Sequence, residues 1–535
     1  MVKNLALLLL GGLFITGAAH ATETGFYMGF GYGGKVVKGQ LEVVDDIAGS
    51  QARDLTGSAT DGPLDDNQLS VCSVPGTAGP HISSVPACWI PLNGDKVDRG
   101  FADVYGNINL GYGFRIHDKI WLGAEFEWST GKGEAGYLST TNQVTYFQYN
   151  SKGINLSALL GYVMNDTSML FTTFGLVSNN FILNHPLGYA PPASGAATSA
   201  NPLTTIDDIK SNEDISGFKL GFGVENKLSN GLSLRLAWNI IEYDDESIQD
   251  GLNNLELPCN LRPPNADRGR GGNLSGLQGG WENACDGTKP EIQAINDLFK
   301  GLENNFNISL VYRFGDNGST PSGASLKYGA YVFGELSAQA GAYDRVRHRN
   351  TLDEPIGNED RRRNLSIDGS ASGLGVGFDF LYNGWLLGIA GSYRLIEAHS
   401  QNYGGFDFDF EQKEEGNIEL QIGRALNGSN AMFFSIGYVE GKFNTAYTTD
   451  TQRNNPGAEN VPTTGSVLHD GERESTGWTL GIGAKSAITD HLFLQAKMDY
   501  TRYEDFRAYF SQSNKDLYIE GLENFRFSLG VGYSF

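Results

Sequence analysis

Charged side chains recur at every second position inside stretches that are otherwise apolar or glycine-rich. Glu125 and Glu127 alternate with Phe126 and Trp128, Lys219 and Glu225 stand in GFKLGFGVE, and Arg235 stands in LSLRLAWNI. Farther along, Glu335, Glu419, Gln421, Lys497, Asp499 and Arg526 occupy the same kind of position. Each half of the chain carries both signs. Two chemistries are open to such a set: a self-neutralising network filling an interior, or a polar path for ions.

Other reactive residue types are less organised. His117 and His491 fall at short turns, while His81, His185, His348, His399 and His469 fall in long polar stretches. No HExxH or GxSxG occurs, so a lipid-modifying enzyme is only a remote reading and no cofactor is implied. GFGYGG (29–34) and GIGAKS (481–486) share a phosphate loop's composition but not its strand-to-helix setting. Cys72, Cys88, Cys259 and Cys285 lie in polar, Gly/Pro-rich stretches, and neither near-neighbour spacing is CxxC. In an exported chain an even count suggests disulfides. Cys72 with Cys88 and Cys259 with Cys285 is one of three connectivities, and the one with the smallest loops.

Arg345, Arg347 and Arg349, with Arg361, Arg362 and Arg363, form a basic cluster in a long polar loop of an acidic chain. Guanidinium forks there could hold lipopolysaccharide phosphates or an acidic partner. Asp344, Asp353, Glu354, Glu359 and Asp360 lie among them and could pair with them locally instead. Overall, 39 Lys and Arg stand against 62 Asp and Glu, a formal charge of −23. That balance argues against a nucleic-acid partner.

Two features place the chain outside the cytoplasm. Lys3, an apolar core over 5–15 and Ala19-His20-Ala21 predict a signal peptide cleaved after Ala21. No apolar run approaches the length of a membrane-spanning helix, so any spanning must be done by strands. Period-two alternation supplies them, at 26–33, 104–114, 121–128, 153–162, 169–176, 217–225, 232–240 and 304–314. The second half repeats the plan at 328–338, 373–380, 385–393, 406–424, 431–438, 477–485, 492–500 and 525–535. Most are close to the 9–11 residues that cross a bilayer at a tilt.

Within each strand one face is apolar and carries aromatics near its ends, including Phe26, Phe114, Trp128, Tyr162, Trp238, Tyr312 and Phe314. The other face is Gly, Asn, Ser and charge. Every second connection is short (116–119, 164–168, 226–231), and the others are long and polar (34–103, 129–152, 178–215, 243–303). Short turns on one side and long loops on the other are the plan of a transmembrane antiparallel up-and-down β-barrel. The stretch FDFDFEQKEEG (406–416) keeps its alternation past membrane length, so that hairpin is expected to project outward.

The chain also contains its own ending. GLENFRFSLGVGYSF closes it, and GLENNFNISLVYRFG stands at 301–315. Gly217, Leu220, Gly221, Gly223, Leu232 and Leu234 recur at Gly477, Leu480, Gly481, Gly483, Leu492 and Leu494. This internal duplication predicts two eight-stranded barrels in tandem, residues 22–314 and 328–535, after a signal peptide over 1–21. Between them GDNGSTPSGASLK (315–327) reads as a linker, able to stretch about 40 Å. The alternative is one sixteen-stranded barrel, a diffusion channel, made by pairing the eighth strand with the ninth.

These residues resemble the OmpA/OmpX-type eight-stranded outer-membrane barrels of Gram-negative bacteria, here twice over. The resemblance rests on GFYMGFGYGG, on the glycine-rich alternating strands and on the terminal Tyr533-Ser534-Phe535. It implies an outer-membrane location, surrounding lipid and lipopolysaccharide, and a role in envelope integrity, surface interaction or weak permeability. It further implies that Tyr533 and Phe535 mark the last strand for the barrel-assembly machinery. Tyr312-Arg313-Phe314 then looks like the fossil of that signal. No extracellular ligand is named by any of these residues.

Overall fold

The computed structural model describes residues 24–43, 88–89, 96–138, 143–150, 153–165, 167–185, 188–189, 209–229, 231–248, 297–314, 324–349, 361–402, 407–426, 428–449, 466–509 and 515–535. Among them the only regular structure is antiparallel strand. We label the barrel strands β1 (Gly25–Val43), β2 (Lys96–His117), β3 (Ile120–Leu138), β4 (Gly153–Asn165), β5 (Ser168–His185), β6 (Ile209–Ser229), β7 (Leu232–Tyr243) and β8 (Asp297–Arg313). The second set is β9 (Ala330–Arg349), β10 (Arg361–Tyr382), β11 (Trp385–Asn402), β12 (Asp407–Ala425), β13 (Asn430–Thr449), β14 (Ser466–Ala487), β15 (Leu492–Tyr503) and β16 (Lys515–Ser534).

Each set closes on itself. Neighbours pair in sequence order, and β8 returns to β1 over Tyr27↔Arg313 through Val43↔Asp297. In the second set β16 returns to β9, from Tyr331↔Ser534 to Arg349↔Lys515. The fold is therefore two eight-stranded barrels in tandem, and the sixteen-stranded alternative is overturned by these closing ladders. Closure removes every barrel edge, the condition for strands to cross a bilayer. The turns on the short side are tight. Asn383 and Gly384, both at positive φ, make the Asn-Gly hairpin between β10 and β11.

All sixteen strands sit where alternation puts them, but most run far beyond the membrane. β2, β10 and β14 reach 22 residues, about twice a tilted crossing. Much of what reads as long loop is strand: 34–43, 96–103 and 297–303 all extend the first barrel upward. The reason is that the faces exchange character. Within the membrane band apolar residues point out, as with Phe218 and Leu220, while Lys219 points in. Above it the inward positions turn aromatic and aliphatic, so pairing continues around a dry interior. Projection of the hairpin over 406–416 follows the same rule, with β11 and β12 paired out to Asn402↔Phe408.

The described end of the expected linker, residues 324–327, is packed against the second barrel. Residues 315–323 lie outside the described residues, but Leu326 is buried beneath the second barrel against Tyr331, Phe333 and Leu386. Its N–H donates to the Gly428 carbonyl at 2.8 Å, and Ser429 Oγ donates to the Ala324 carbonyl at 2.7 Å.

The duplicated ending is also refined. Gly301–Asn304 match Gly521–Asn524, but Phe525 is one residue extra in the second copy. From Asn305 against Arg526 onward the match is shifted by one. β16 absorbs the insertion through an irregularity opposite Ala342 and Asp344, next to Gly521 at φ 62°.

The barrels stand side by side with their outer walls in contact. Leu234, Leu236, Val36 and Phe306 of the first bury against Leu494, Ala496, Met498, Phe525 and Phe527 of the second. Phe306 and Phe525 stack with centroids 6.1 Å apart. Trp238, expected in the interfacial girdle, joins this seam instead.

Candidate functional site: two sealed charge networks

Alternation turns the charged residues of mid-strand into each barrel, where eight strands leave just enough room for side chains. In the first barrel Arg235 on β7 is the hub. Its Nη1 meets Glu125 Oε2 on β3 at 2.5 Å and its Nη2 meets Glu225 Oε2 on β6 at 3.0 Å. Arg313 on β8 shares Glu225, with Nη2 donating to Oε1 at 2.7 Å. One layer higher, Lys219 Nζ donates to Glu127 Oε2 at 3.0 Å, and Tyr243 Oη donates to Glu303 Oε2 at 2.6 Å. Asn109 and Asn155 donate to Glu125 and Glu127, filling remaining lone pairs.

The second barrel keeps the logic and changes the residues. Glu415 on β12 is now the hub, held between Arg394 on β11 at 2.8 Å and Arg526 on β16 at 2.5 Å, with Tyr503 Oη as a third donor. Arg394 Nε also donates to Glu335 at 2.6 Å. Lys497 pairs with Glu419 and, at 2.8 Å, with Asp499. Gln421 donates to Glu419 at 2.7 Å. Nearer the turns, Lys485 Nζ meets Asp379 Oδ2 at 2.6 Å.

All ten charges expected at the interior are there, and the structure brings them into these networks. Sequence reading missed Arg313, Glu303, Asp379, Arg394, Glu415 and Lys485. Glu415 was hidden by a phase change. Phe410 and Gln412 point inward, then a register shift between Gln412 and Glu414 hands the inward positions to Glu415, Asn417 and Glu419. The available signal was two alternating runs, one residue out of phase, meeting in EQKEEG. Arg394 lies one residue past the expected strand 385–393 but in the middle of β11, and Arg313 is the last residue of β8.

Each network is capped above and below by apolar side chains. Toward the turns of the first barrel lie Tyr27, Trp121, Leu159, Met169 and Phe171, with Trp121 fully buried. The Arg313 guanidinium lies 4.9 Å from both the Tyr27 and Trp121 rings. Toward the loops lie Val37, Phe101, Tyr149, Phe181, Ile215 and Phe299, and Lys35 Nζ stands 3.0 Å over the Tyr149 ring. In the second barrel Tyr331, Phe333, Phe433 and Phe493 close the lower end, and Tyr343, Phe410, Phe443 and Tyr503 the upper. The inner face is thus Gly, Asn, Ser and charge only at mid-height, a correction to the uniform polar wall expected. Carboxylates facing cations between dry layers can neutralise and hold.

The remaining expected sites fare differently. Arg345, Arg347 and Arg349 belong to β9, and Arg361, Arg362 and Arg363 to β10, so the basic cluster is a paired hairpin rather than a loop. Arg345 stands opposite Arg363 and Arg347 opposite Arg361, while the backbones of Arg362 and Arg363 pair with Leu138 and Tyr137 of the first barrel. Arg345 is buried. On the projecting hairpin partial burial raises the Asp409 carboxyl above its ordinary range, with His399 opposing the rise. Both glycine strings are strand, within β1 and β14. Cys72, Cys259 and Cys285, like the signal segment over 1–21, lie outside the described residues; Cys88–Trp89 pairs with Gly188–Tyr189. Tyr533 and Phe535 point outward, with Phe535 70% exposed.

Comparison with known proteins agrees on the barrel. The model of the outer membrane protein beta-barrel domain matches residues 5–258 and again 318–535. No curated protein matches the chain. Among solved structures, the attachment invasion locus protein Ail of Yersinia pestis is 15% identical, with a TM-score of 0.19, over 38% of this chain and 99% of its own. Neisserial surface protein A is 14% identical, with a TM-score of 0.19, over 37% and 97%. A Pseudomonas aeruginosa FadL homologue is 11% identical, with a TM-score of 0.25, over 95% and 90%.

Proposed function

This chain belongs to the outer-membrane β-barrel protein family, with the domain present twice, and from that premise we propose that it is a non-enzymatic, non-conducting twin mount for surface loops. As an integral outer-membrane barrel protein it sits in lipid. The proposal concerns what it does there: hold two rigid barrels whose extensions and long connections face outward, for envelope integrity or surface interaction. The observation that carries this reading is the sealing of both charge networks between dry aromatic layers. A diffusion channel needs a wet continuous lumen, and an eight-stranded barrel filled by side chains offers none. Lipid and lipopolysaccharide are the expected neighbours of the apolar belt.

Conductance tests the reading directly. Purified protein reconstituted in planar bilayers should give no stable steps across the voltage range in which known porins conduct. Large stable openings in the unmodified protein would overturn the mount and restore permeability as the function.

A further inference from the structure

The seam between the barrels has a symmetry that an arbitrary side-by-side contact lacks. Each strand in it meets its own counterpart: β1 faces β9, β2 faces β10, β7 faces β15 and β8 faces β16. The side chains obey the same rule. Leu234, Leu236, Trp238, Phe306 and Ile308 pack in the seam, fully or partly buried, and so do their duplicates Leu494, Ala496, Met498, Phe527 and Leu529. At the turn end Ser168 Oγ reaches its own counterpart Asn430 at 3.3 Å, and Ser486 Oγ donates to its counterpart Asn226 at 2.7 Å. Near the loop end Gly100 lies against its counterpart Ser366, whose Cβ is 2.4 Å from where a Gly100 Cβ would stand. Contacts in which equivalent residues meet around one axis define an isologous, twofold interface. With the short turns of both barrels on one side, that axis runs along the membrane normal.

We propose that each barrel carries a self-complementary docking face whose fitting partner is a second copy of the same barrel, so that this chain is a covalently joined twofold dimer. One residue breaks the symmetry and sets the preference. Phe525, which takes the ladder position that Asn304 holds in the first copy, packs its ring where a Gly34 side chain would be, 2.2 Å from that Cβ position. The duplicate of Gly34 is Ala338, as the pairings of Gly34 with Phe306 and Ala338 with Phe527 show. Two second barrels would therefore push Phe525 onto a methyl group. Two first barrels meet no such obstacle, and the mixed pair fits best.

The test starts from the whole protein. A protease site is inserted in residues 315–323, and the assembled protein is cleaved in mild detergent. The halves should stay together on size-exclusion chromatography. They are then separated, with circular dichroism confirming that each closed barrel stays folded, and returned singly to mild detergent. The first half should run at twice its own mass, and Ser168→Cys in it should cross-link to itself, while Leu160→Cys, exposed outside the seam, should not. The second half should stay largely monomeric until Phe525→Ala is introduced. Halves that part on cleavage, or first halves that remain monomeric and fail to cross-link at Ser168→Cys, would overturn the proposal.

Discussion

Glu415→Ala lowers the stability of the second barrel by about 3–5 kcal/mol, the cost of leaving buried cations without their counter-ion. Glu415 is fully buried and, among the described residues, is the only carboxylate that Arg526 meets, at 2.5 and 2.7 Å. Removing it leaves that guanidinium only the neutral Gln339 oxygen, at 2.9 Å from Nη2, between the apolar layers around Phe410 and Phe433. Arg394 keeps Glu335 and loses less. Tyr503 loses its acceptor as well. The pair as a whole need not stabilise the barrel relative to an apolar filling, because desolvation offsets the attraction. Breaking it from one side is the costly step. Urea-induced unfolding of protein in lipid vesicles, followed by tryptophan fluorescence, measures the loss. Lys442→Ala is the control: its pairs with Glu414 and Glu472 lie on the outer wall in solvent-accessible surroundings, and its midpoint should match that of the unmodified protein. Equal midpoints for Glu415→Ala and Lys442→Ala would refute a sealed interior.

Deleting Phe535 should remove most folded protein from the outer membrane, whereas Phe314→Ala should leave its amount unchanged. The two residues are structural twins. Phe535 N–H donates to the Ala330 carbonyl at 3.1 Å, and Phe314 N–H donates to the Phe26 carbonyl at 2.9 Å. Each ring lies edge-on to the tyrosine two residues before it, at 5.4 Å from Tyr533 and 5.2 Å from Tyr312. Both face outward, so neither contributes much to its barrel's interior. What separates them is the proposed role, since the resemblance assigns the assembly signal to Phe535 after β16, whereas Phe314 is followed by a second barrel. Heat-modifiable mobility of outer-membrane fractions reads the folded amount. Equal losses in the two variants would mean that each barrel is inserted by its own signal.

Much of the molecule is legible without coordinates because alternation is local. Phe218 out and Lys219 in follow from neighbouring residues on a pleated strand, and so do the sixteen strands, the duplication and the inward set from Glu125 to Arg526. Non-local contacts decided the rest. Closure at eight depends on Arg313 returning to Tyr27 across the whole first half, and on Ser534 returning to Tyr331, pairings that no window of sequence contains. The partner of each charge likewise depends on which strands the ring makes adjacent: Arg235 reaches Glu125 across the lumen from β7 to β3. Glu415 became a hub only because a register shift turned the phase of β12. The seam, finally, buries Leu234 and Leu494 that alternation marks simply as lipid-facing. Lipid and a neighbouring barrel present the same apolar surface to a strand, so sequence pattern cannot tell them apart, and the packing of one wall on its duplicate does.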